Sequence, residues 1–353
     1  MRARLAALVL AAACARPPAP GATPPAPAGP PDLALPGERH LRNVRQLTFG
    51  GENAEAYFSF DGRELVFQAR PDFTGCDQEY VMRADGSGVR QVSSGGGRVT
   101  CGYFFPDGSR VLWSSTRASG RECPPAPDLS QGYVWALYDY QIYTSRRDGS
   151  DVRPLAPAPG TYNAEATISA DGWIVFTSTR DGDLELYKMR LDGSGLARLT
   201  SIEGYDGGAF FSADGKRIVY RASRPETDQE RADYRALLAR KQVRPGRLEI
   251  FTMDADGSNA RPVTRLGAAS FAPFFHPDGR RILFASNVGD PRGRNFDLYM
   301  VNDDGSGLER ITTSETFDGF PMFSPDGRKL VFASNRNGKR PNETNVFVAD
   351  WVE

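Results

Sequence analysis

The sequence predicts an all-β fold, a six-bladed β-propeller with four-stranded antiparallel blades. An Asp-Gly turn follows a short apolar segment and precedes a β-branched one six times, at Asp61, Asp107, Asp171, Asp214, Asp278 and Asp326. Asp-Gly between alternating apolar segments favours a hairpin, because glycine accepts a positive φ and aspartate tolerates one. A second Asp-Gly follows in five of the six units. Two hairpins in a repeat of this length are typical of one propeller blade.

The third unit shows the plan of one blade. Its four predicted strands are Ala164–Ser169, Trp173–Thr177, Leu184–Met189 and Leu196–Thr200. The sixth unit ends after its third strand, Val346–Val348, while a matching fourth strand, Val44–Thr48, precedes the first unit. We expect this N-terminal strand to complete the last blade and remove two free sheet edges. An open β-solenoid is the alternative, and it leaves the complementary ends unexplained.

Two insertions interrupt the repeat. Successive Asp-Gly turns are separated by 46, 64, 43, 64 and 48 residues, so the second and fourth units carry extra chain. The extra segments, 118–139 and 225–247, fall between the second and third strands. The latter predicts a helix, with Thr227 and Glu230 forming a capping box. Its apolar residues share one face, which either packs on the blades or covers the pore as a lid: Tyr234, Leu237 and Leu238.

The N-terminal residues indicate export. A basic start and an apolar stretch lead to Ala11-Ala12-Ala13-Cys14, which is typical of a bacterial lipobox. We therefore predict a signal peptide at residues 1–14, lipidation of Cys14, a Pro/Ala-rich tether at 15–38 and the propeller at 39–353. Ordinary secretion is the alternative to a lipid anchor. The product is expected to be a monomeric periplasmic or outer-membrane-anchored lipoprotein.

Cysteine usage and charge limit the remaining possibilities. An exported chain permits a disulfide, and Cys76, Cys101 and Cys123 all map to one propeller face, so one bridge can form among them. The formal net charge is −1, without a basic stripe, which argues against a nucleic-acid partner.

The same face is predicted to carry the binding site. Both insertions, the beginnings of the inner strands and the ends of the second strands meet there. Counting eight and six residues back from the first Asp of each unit, plain period-two alternation places a set of polar residues on one side of the inner strands. We take as candidates these residues and the arginines that end the second strands: Asn53, Glu55, Asn163, Glu165, Asp206, Asp318, Arg117, Arg180, Arg224 and Arg336. They form either a cation-binding pore mouth or a solvated lining in which arginine neutralises carboxylate.

Catalytic signals are weak. The chain has two histidines, His40 directly after the predicted tether and His276 in an Asp-Gly turn on the opposite face, so a Ser-His-Asp arrangement is not expected. No catalytic residue is assigned and no cofactor is expected, a divalent cation in the pore being the alternative. Paired carboxylates such as Glu55 and Glu165 would suit a hydrolase or lyase acting on carbohydrate or peptide.

The segment Phe323–Arg336 contains Ser-Pro-Asp-Gly-Arg-Lys-Leu-Val-Phe, and it resembles the repeat of the TolB-like six-bladed propellers, as does Leu298–Gly307. The resemblance covers residues 44–353. It implies a cell-envelope protein that binds a protein or peptide partner without catalysis. TolB proteins carry an α/β domain before the propeller, whereas here a tether is expected there. The alternative function is the small hydrolase or lyase.

Overall fold

The computed structural model describes residues 32–130 and 132–353. Cys14 and most of the predicted signal and tether lie outside these residues. Within them, 26 strands form six four-stranded antiparallel sheets and one two-stranded ribbon, and there is one α-helix. The prediction of a six-bladed propeller is confirmed. No helix of the described ranges is long and apolar enough to cross a membrane.

The first three blades follow the N-terminal strand β1 (Leu41–Gln46). Their strands are, in chain order, β2 (Glu52–Phe58), β3 (Glu64–Arg70), β4 (Gln78–Arg83) and β5 (Arg90–Gln91) in blade one; β6 (Val99–Phe104), β7 (Arg110–Ser115), the inserted β8 (Trp135–Ala136), β9 (Gln141–Arg146) and β10 (Arg153–Pro154) in blade two; and β11 (Asn163–Ile168), β12 (Trp173–Ser178), β13 (Glu185–Arg190) and β14 (Ala197–Arg198) in blade three. A short 3-10 turn, Pro71–Phe73, follows β3.

The last three blades repeat this order. Their elements are β15 (Asp206–Phe211), β16 (Arg217–Ala222), the inserted α1 (Asp228–Leu238) and β17 (Gln242–Val243), β18 (Glu249–Asp254) and β19 (Arg261–Pro262) in blade four; β20 (Ser270–Phe275), β21 (Arg281–Ser286), β22 (Asp297–Asn302) and β23 (Glu309–Arg310) in blade five; and β24 (Asp318–Phe323), β25 (Lys329–Ser334) and β26 (Asn345–Trp351) in blade six. The fourth strands of blades one to five are shorter than predicted, because only two residues of each keep ladder geometry.

The ring closes as the sequence predicts. β1 pairs antiparallel with β26, with Arg45 opposite Val348 and Gln46 opposite Phe347. Leu41 and Val44 of β1 are fully buried. The N-terminal strand therefore supplies the outer strand of blade six and removes its free edge.

The end of the predicted tether also packs on the propeller. Both carboxylate oxygens of Glu38 accept hydrogen bonds from Arg336, at 2.8 and 3.0 Å. The Asp32 carboxylate accepts from the backbone N–H of Val44 at 2.7 Å. His40, directly after the predicted tether, is buried and stacks on Trp351 with ring centroids 4.9 Å apart. The segment 32–40 therefore belongs structurally to the propeller.

One aromatic pair per blade forms the core between the blades. The second strand of every blade contributes a fully buried ring: Phe67, Trp113, Phe176, Tyr220, Phe284 and Phe332. Each contacts a ring of the third strand, with centroids 5.3–6.2 Å apart. Aromatic residues bury the largest apolar area per side chain, so this repeated pair makes the blades pack as one ring.

Candidate functional site

The two insertions meet over the axis of the propeller. β8 pairs with β17, with Trp135 opposite Val243 and Ala136 opposite Gln242. This ribbon joins the extra segments of blades two and four above blade three. A disulfide between Cys76 and Cys123 ties the blade-two insertion to the β3–β4 connection of blade one, while Cys101 remains unpaired and buried. The pairing was not predicted, because nothing local in either segment indicates its partner.

The inserted helix α1 begins at the predicted capping box and packs on the blades. Thr227 and Glu230 form the capping box. Tyr234 is buried and donates a hydrogen bond to Asp183 of blade three, and Leu238 packs on a buried apolar cluster. Leu237 is half-buried. None of the described residues of α1 is among those that line the central cavity, and its buried contacts are with the blades.

Beneath the ribbon lies a cavity of about 1650 Å³. Every inner strand contributes the residue six positions before its Asp-Gly turn, and together these residues form a ring: Glu55, Cys101, Glu165, Gly208, Ala272 and Phe320. All six have φ between 49° and 58°. The ladder register shifts at each of them, which identifies a β-bulge in every blade. A bulge re-aims one side chain, and here it turns that side chain toward the axis.

The bulge corrects the expectation of plain alternation. Unlike Glu55 and Glu165, the polar residues eight positions before the turn do not line the cavity. They lie buried at or near the beginnings of the inner strands, within the blades: Asn53, Asn163, Asp206 and Asp318. Asp206 accepts from Arg224 at 2.6 Å, Asp318 accepts from Arg336 at 2.9 Å, and the Asn163 side-chain oxygen accepts from Arg180 at 3.0 Å. Asn53 donates to the carbonyl oxygen of Thr344 at 3.1 Å. These contacts fix the start of each inner strand.

The arginines that end the second strands have a shared packing role. The guanidinium groups of Arg117, Arg180, Arg224 and Arg336 each lie 4.9–5.3 Å from the centroid of an aromatic ring. Arg117 also donates to the carbonyl oxygen of Ser94 at 2.9 Å. None of the four is among the described residues that line the cavity. Arg224 and Arg336 each form an ion pair with a carboxylate of their own blade.

A second ring of side chains closes the axis below the cavity. The residue four positions before each turn points inward: Tyr57, Tyr103, Thr167, Phe210, Phe274 and Met322. Tyr57 of blade one and Phe210 of the opposite blade four have centroids 5.3 Å apart, and Phe210 lies 5.4 Å from Phe274. Rings from opposite blades therefore meet on the axis, which is filled at this level. The cavity opens on the face that carries the insertions.

One side of the cavity is polar and internally bonded. Glu165 accepts hydrogen bonds from Thr177 at 2.7 Å, from the backbone N–H of Gly208 at 2.8 Å and from Tyr205 at 3.1 Å. Arg221 of β16 forms an ion pair with the same carboxylate. A Cβ at position 208 would collide with this guanidinium, so the space there requires glycine, which also adopts the φ of +58° without strain. Glu165 is thus held in place by four neighbours.

Glu55 lies on the same side with few partners. It accepts a long hydrogen bond from the Tyr57 hydroxyl, at 3.5 Å. Burial raises the pKa of Glu55 to about 7, the Cys101 thiol opposes this by hydrogen bonding, and the charge of Glu165 adds to it. A carboxyl group that is enclosed without a cation prefers its neutral form.

The other side of the cavity is aromatic. Four phenylalanines of blades five and six, Phe271, Phe296, Phe317 and Phe320, contact one another with centroids 5.1–6.3 Å apart. We call these four residues the phenylalanine wall. All of them line the cavity. These residues are not among the candidates predicted from the sequence. Phe320 would have been found if the residue six positions before the Asp-Gly turn had been considered in every blade, and not only where it is acidic.

We expect Glu55→Gln to stabilise the protein at pH 8 and to change little at pH 4. The folded pKa of about 7 exceeds the unfolded value of 4.5. Between those pH values the folded state binds the extra proton, so this group's contribution to stability falls as pH rises and levels off above 7. A difference of this size between the folded and unfolded pKa values corresponds to a change of about 3 kcal/mol in the free energy of unfolding. Urea denaturation at pH 4, 6 and 8 measures it, with the exposed Glu315→Gln as control. An equal effect of Glu55→Gln at all three values would contradict the assignment.

Among the described residues, no group of three or more His, Cys, Asp or Glu side chains is arranged to hold a metal ion. His276 is buried in the turn between β20 and β21, on the face opposite the cavity, where the backbone N–H of Asp278 donates to its ring at 3.1 Å. Burial and Arg281 lower its pKa. His276 therefore serves its own turn, as the sequence indicates.

Comparison with known proteins agrees with the fold. No family model matches the chain. The Protein TolB homolog of Chlorobium luteolum is 29% identical over 148 residues, which cover 35% of this chain and 34% of that protein. The chain thus matches about a third of that relative's length.

Solved structures extend the similarity over most of the chain. TolB from Acinetobacter baumannii superposes with a TM-score of 0.59 at 16% identity, covering 83% of this chain and 64% of that one. An oligogalacturonate lyase from Vibrio parahaemolyticus gives a TM-score of 0.53 at 13% identity, covering 91% and 96%. At these identities the superpositions establish the fold. With its Asp-Gly repeat and strand-closed ring, the chain is a six-bladed β-propeller whose fold is similar to that of TolB.

Proposed function

We propose that this chain binds a peptide segment of a protein partner in the cavity beneath the ribbon. The observation that carries the proposal is the size of the cavity, together with the fact that it is closed at the axis and open on one face. Pockets for small molecules usually measure about 300–1,000 Å³. The cavity here, about 1650 Å³, is larger, closed at the axis and open at the face with the insertions. Such a space suits several residues of an extended chain better than a single small metabolite.

The lining supports the same proposal. A peptide presents apolar side chains together with backbone donors and acceptors. The cavity offers the phenylalanine wall on one side, and Arg221, Glu55 and Glu165 on the other. The rim adds Leu129 and Tyr133 of the blade-two insertion, which are 49% and 64% exposed. Exposed large apolar side chains at the rim of a concave site are typical of a surface that binds another protein.

A library of acetylated and amidated hexapeptides, measured by fluorescence polarisation, tests this function. Peptides that bind the wild type should lose at least tenfold in affinity in the double variant Phe296→Ala, Phe317→Ala, about 1.4 kcal/mol. The matched control is Leu196→Ala with Leu308→Ala, which truncates two exposed apolar residues near Asp-Gly turns on the opposite face. Absence of binding by any peptide, or equal binding by both variants, would remove the proposal.

The alternative is a hydrolase or lyase acting on carbohydrate or peptide in the same cavity. Glu55 favours it, because a carboxyl group whose pKa is about 7 is suited to general acid–base catalysis. The superposition on an oligogalacturonate lyase does not extend to function at 13% identity. Turnover of an oligosaccharide and peptide panel, with and without divalent metal, that disappears in Glu55→Gln would favour the enzyme.

For location we propose the cell envelope, with the propeller anchored through a lipid on Cys14. The basic start, the apolar stretch and the small residues before Cys14 support this. The partner would then be another envelope protein. Labelled palmitate should enter the wild type in a bacterial host but not Cys14→Ser, and an unlabelled wild type would refute the anchor.

A further inference from the structure

The carboxylates of the cavity wall are paired with one exception. Glu165 pairs with Arg221, Asp77 lies 3.5 Å from Arg98, Glu52 lies 2.6 Å from Arg70, and Asp290 lies 3.5 Å from Arg292. Glu55 has no cationic side-chain atom within 4.0 Å among the described residues, in contrast to these other four carboxylates of the lining. A carboxylate enclosed by protein without a cation is costly. The ring therefore keeps an acidic group that the fold itself leaves without a counter-charge.

The surroundings of Glu55 show why the fold does not neutralise it. Arg221 acts on Glu55 only at longer range, because its guanidinium is held by Glu165 and by Tyr205, whose hydroxyl lies 2.6 Å away. The titratable and charged groups that influence or contact Glu55 are Tyr57, Asp77, Glu79, Cys101, Glu165 and Arg221. Five of the six are acidic or weakly acidic groups, and Arg221 is the single cation among them. An incoming cation would be attracted here.

The phenylalanine wall begins at the neighbouring blade. Phe320 is the ring residue of blade six, and blade six adjoins blade one, which carries Glu55. Phe317 and Phe320 have centroids 6.1 Å apart, and Phe271 lies 5.4 Å from Phe320. The three partly exposed members of the wall, Phe296, Phe317 and Phe320, present apolar surface to the cavity. The cavity thus places one unpaired carboxylate next to a broad aromatic surface.

We propose that the peptide bound in the cavity carries a cationic side chain that pairs with Glu55 and, close to it in sequence, an aromatic or aliphatic side chain that packs on the phenylalanine wall. This inference rests on the proposed function and adds the chemistry of the ligand. The pair replaces the missing counter-charge of Glu55, and nearby aromatic faces further favour a cation. An anionic or purely apolar peptide would leave Glu55 unpaired.

The pairing makes binding depend on pH in a defined direction. In the empty cavity the Glu55 carboxyl has a pKa of about 7, so it is largely protonated at pH 5 and largely ionised at pH 8. A guanidinium ligand keeps its charge over this range. Its affinity should therefore rise from pH 5 to pH 8, by up to tenfold per pH unit below the pKa, and level off above it.

The experiment starts from the tightest-binding hexapeptide of the blocked library. Each arginine or lysine in it is replaced by citrulline, whose side chain is neutral and similar in shape to that of arginine. For the wild type at pH 8 we expect this replacement to weaken binding at least tenfold. In Glu55→Gln the two peptides should bind within twofold of each other, and affinity should no longer depend on pH. Glu315→Gln removes the same charge outside the cavity lining and should behave as wild type.

The outcomes separate this inference from the proposed function. Tight-binding peptides without a cation, or a citrulline effect that persists in Glu55→Gln, would overturn the pairing and leave peptide binding intact. If no peptide of the library binds the wild type, or if binding survives truncation of Phe296 and Phe317, peptide binding in this cavity is wrong and the pairing falls with it.

Discussion

Deletion of residues 39–48 is expected to leave a protein that aggregates or has lost most of its stability. The deletion removes β1, which pairs with β26 and closes the ring. Leu41 and Val44 are fully buried, and burying each such side chain contributes about 1.5–3 kcal/mol. Their loss, together with that of the ladder, approaches the whole stability of an ordinary domain, about 5–15 kcal/mol. The exposed edge of β26 would then favour association between chains.

Thermal unfolding and size-exclusion chromatography measure this effect. The control is deletion of residues 15–31, which ends before Asp32 and spares its hydrogen bonds to the backbone N–H groups of Asn43 and Val44. We expect this control to retain the wild-type melting temperature. Similar melting temperatures for both deletions would show that the N-terminal strand does not close the ring.

Arg336→Met should lower the free energy of unfolding by about 3–5 kcal/mol, the usual loss when one partner of a buried ion pair is removed. The side chain of Arg336 is 4% exposed and contacts the carboxylates of Glu38 and Asp318, both fully buried. Methionine fills a similar volume but leaves two acidic groups without a cation. The replacement therefore affects blade six and the N-terminal segment together.

The loss should be greater at pH 8 than at pH 5. Burial raises the pKa of Asp318 above its ordinary value of 3.8, and Arg336 opposes that rise. Without Arg336 the folded pKa rises further, so the protonated carboxyl is tolerated at low pH and stability is lost as pH increases through the new pKa. Urea denaturation at both values measures this.

Arg224→Met in blade four is the matched control. Arg224 occupies the equivalent position, is 23% exposed and pairs with the single carboxylate of Asp206. We expect a clearly smaller loss, because more solvent reaches the pair and one carboxylate rather than two loses its partner. Equal losses in the two variants would mean that the Glu38 contact contributes nothing to the stability of blade six.

The regular part of this architecture was predictable from local patterns. The signals that predicted it are short-range: the Asp-Gly turns, the complementary strand at residues 44–48 and the Thr227–Glu230 capping box. Each of them indicates a structural element from residues that are close together in the sequence. The bulges are different. A single residue with a positive φ, such as Glu55 or Cys101, reverses the expected alternation, and no glycine indicates it at five of the six positions.

The cover of the cavity depends on contacts between distant segments. Trp135 and Val243 are separated by more than a hundred residues, and their pairing follows from the geometry of blades two and four rather than from either sequence. Arginines such as Arg180 were selected for their charge, yet they lie over aromatic rings within the blades. Charge and spacing predict the face on which such residues lie, but not which of them reach the axis.

The ring of bulges has a consequence for how such a scaffold can diversify. Glutamate, cysteine, glycine, alanine and phenylalanine all occupy the same bulged position, with nearly the same backbone conformation. The bulged residue is left out of the ladder, so its side chain can be exchanged without rewriting the hydrogen bonds that hold the blade. Apart from Gly208, which the Arg221 side chain keeps without a Cβ, these positions can change one at a time, and each change alters the chemistry at the axis. Selection can therefore change the ligand specificity of the central cavity while the surrounding blades stay the same.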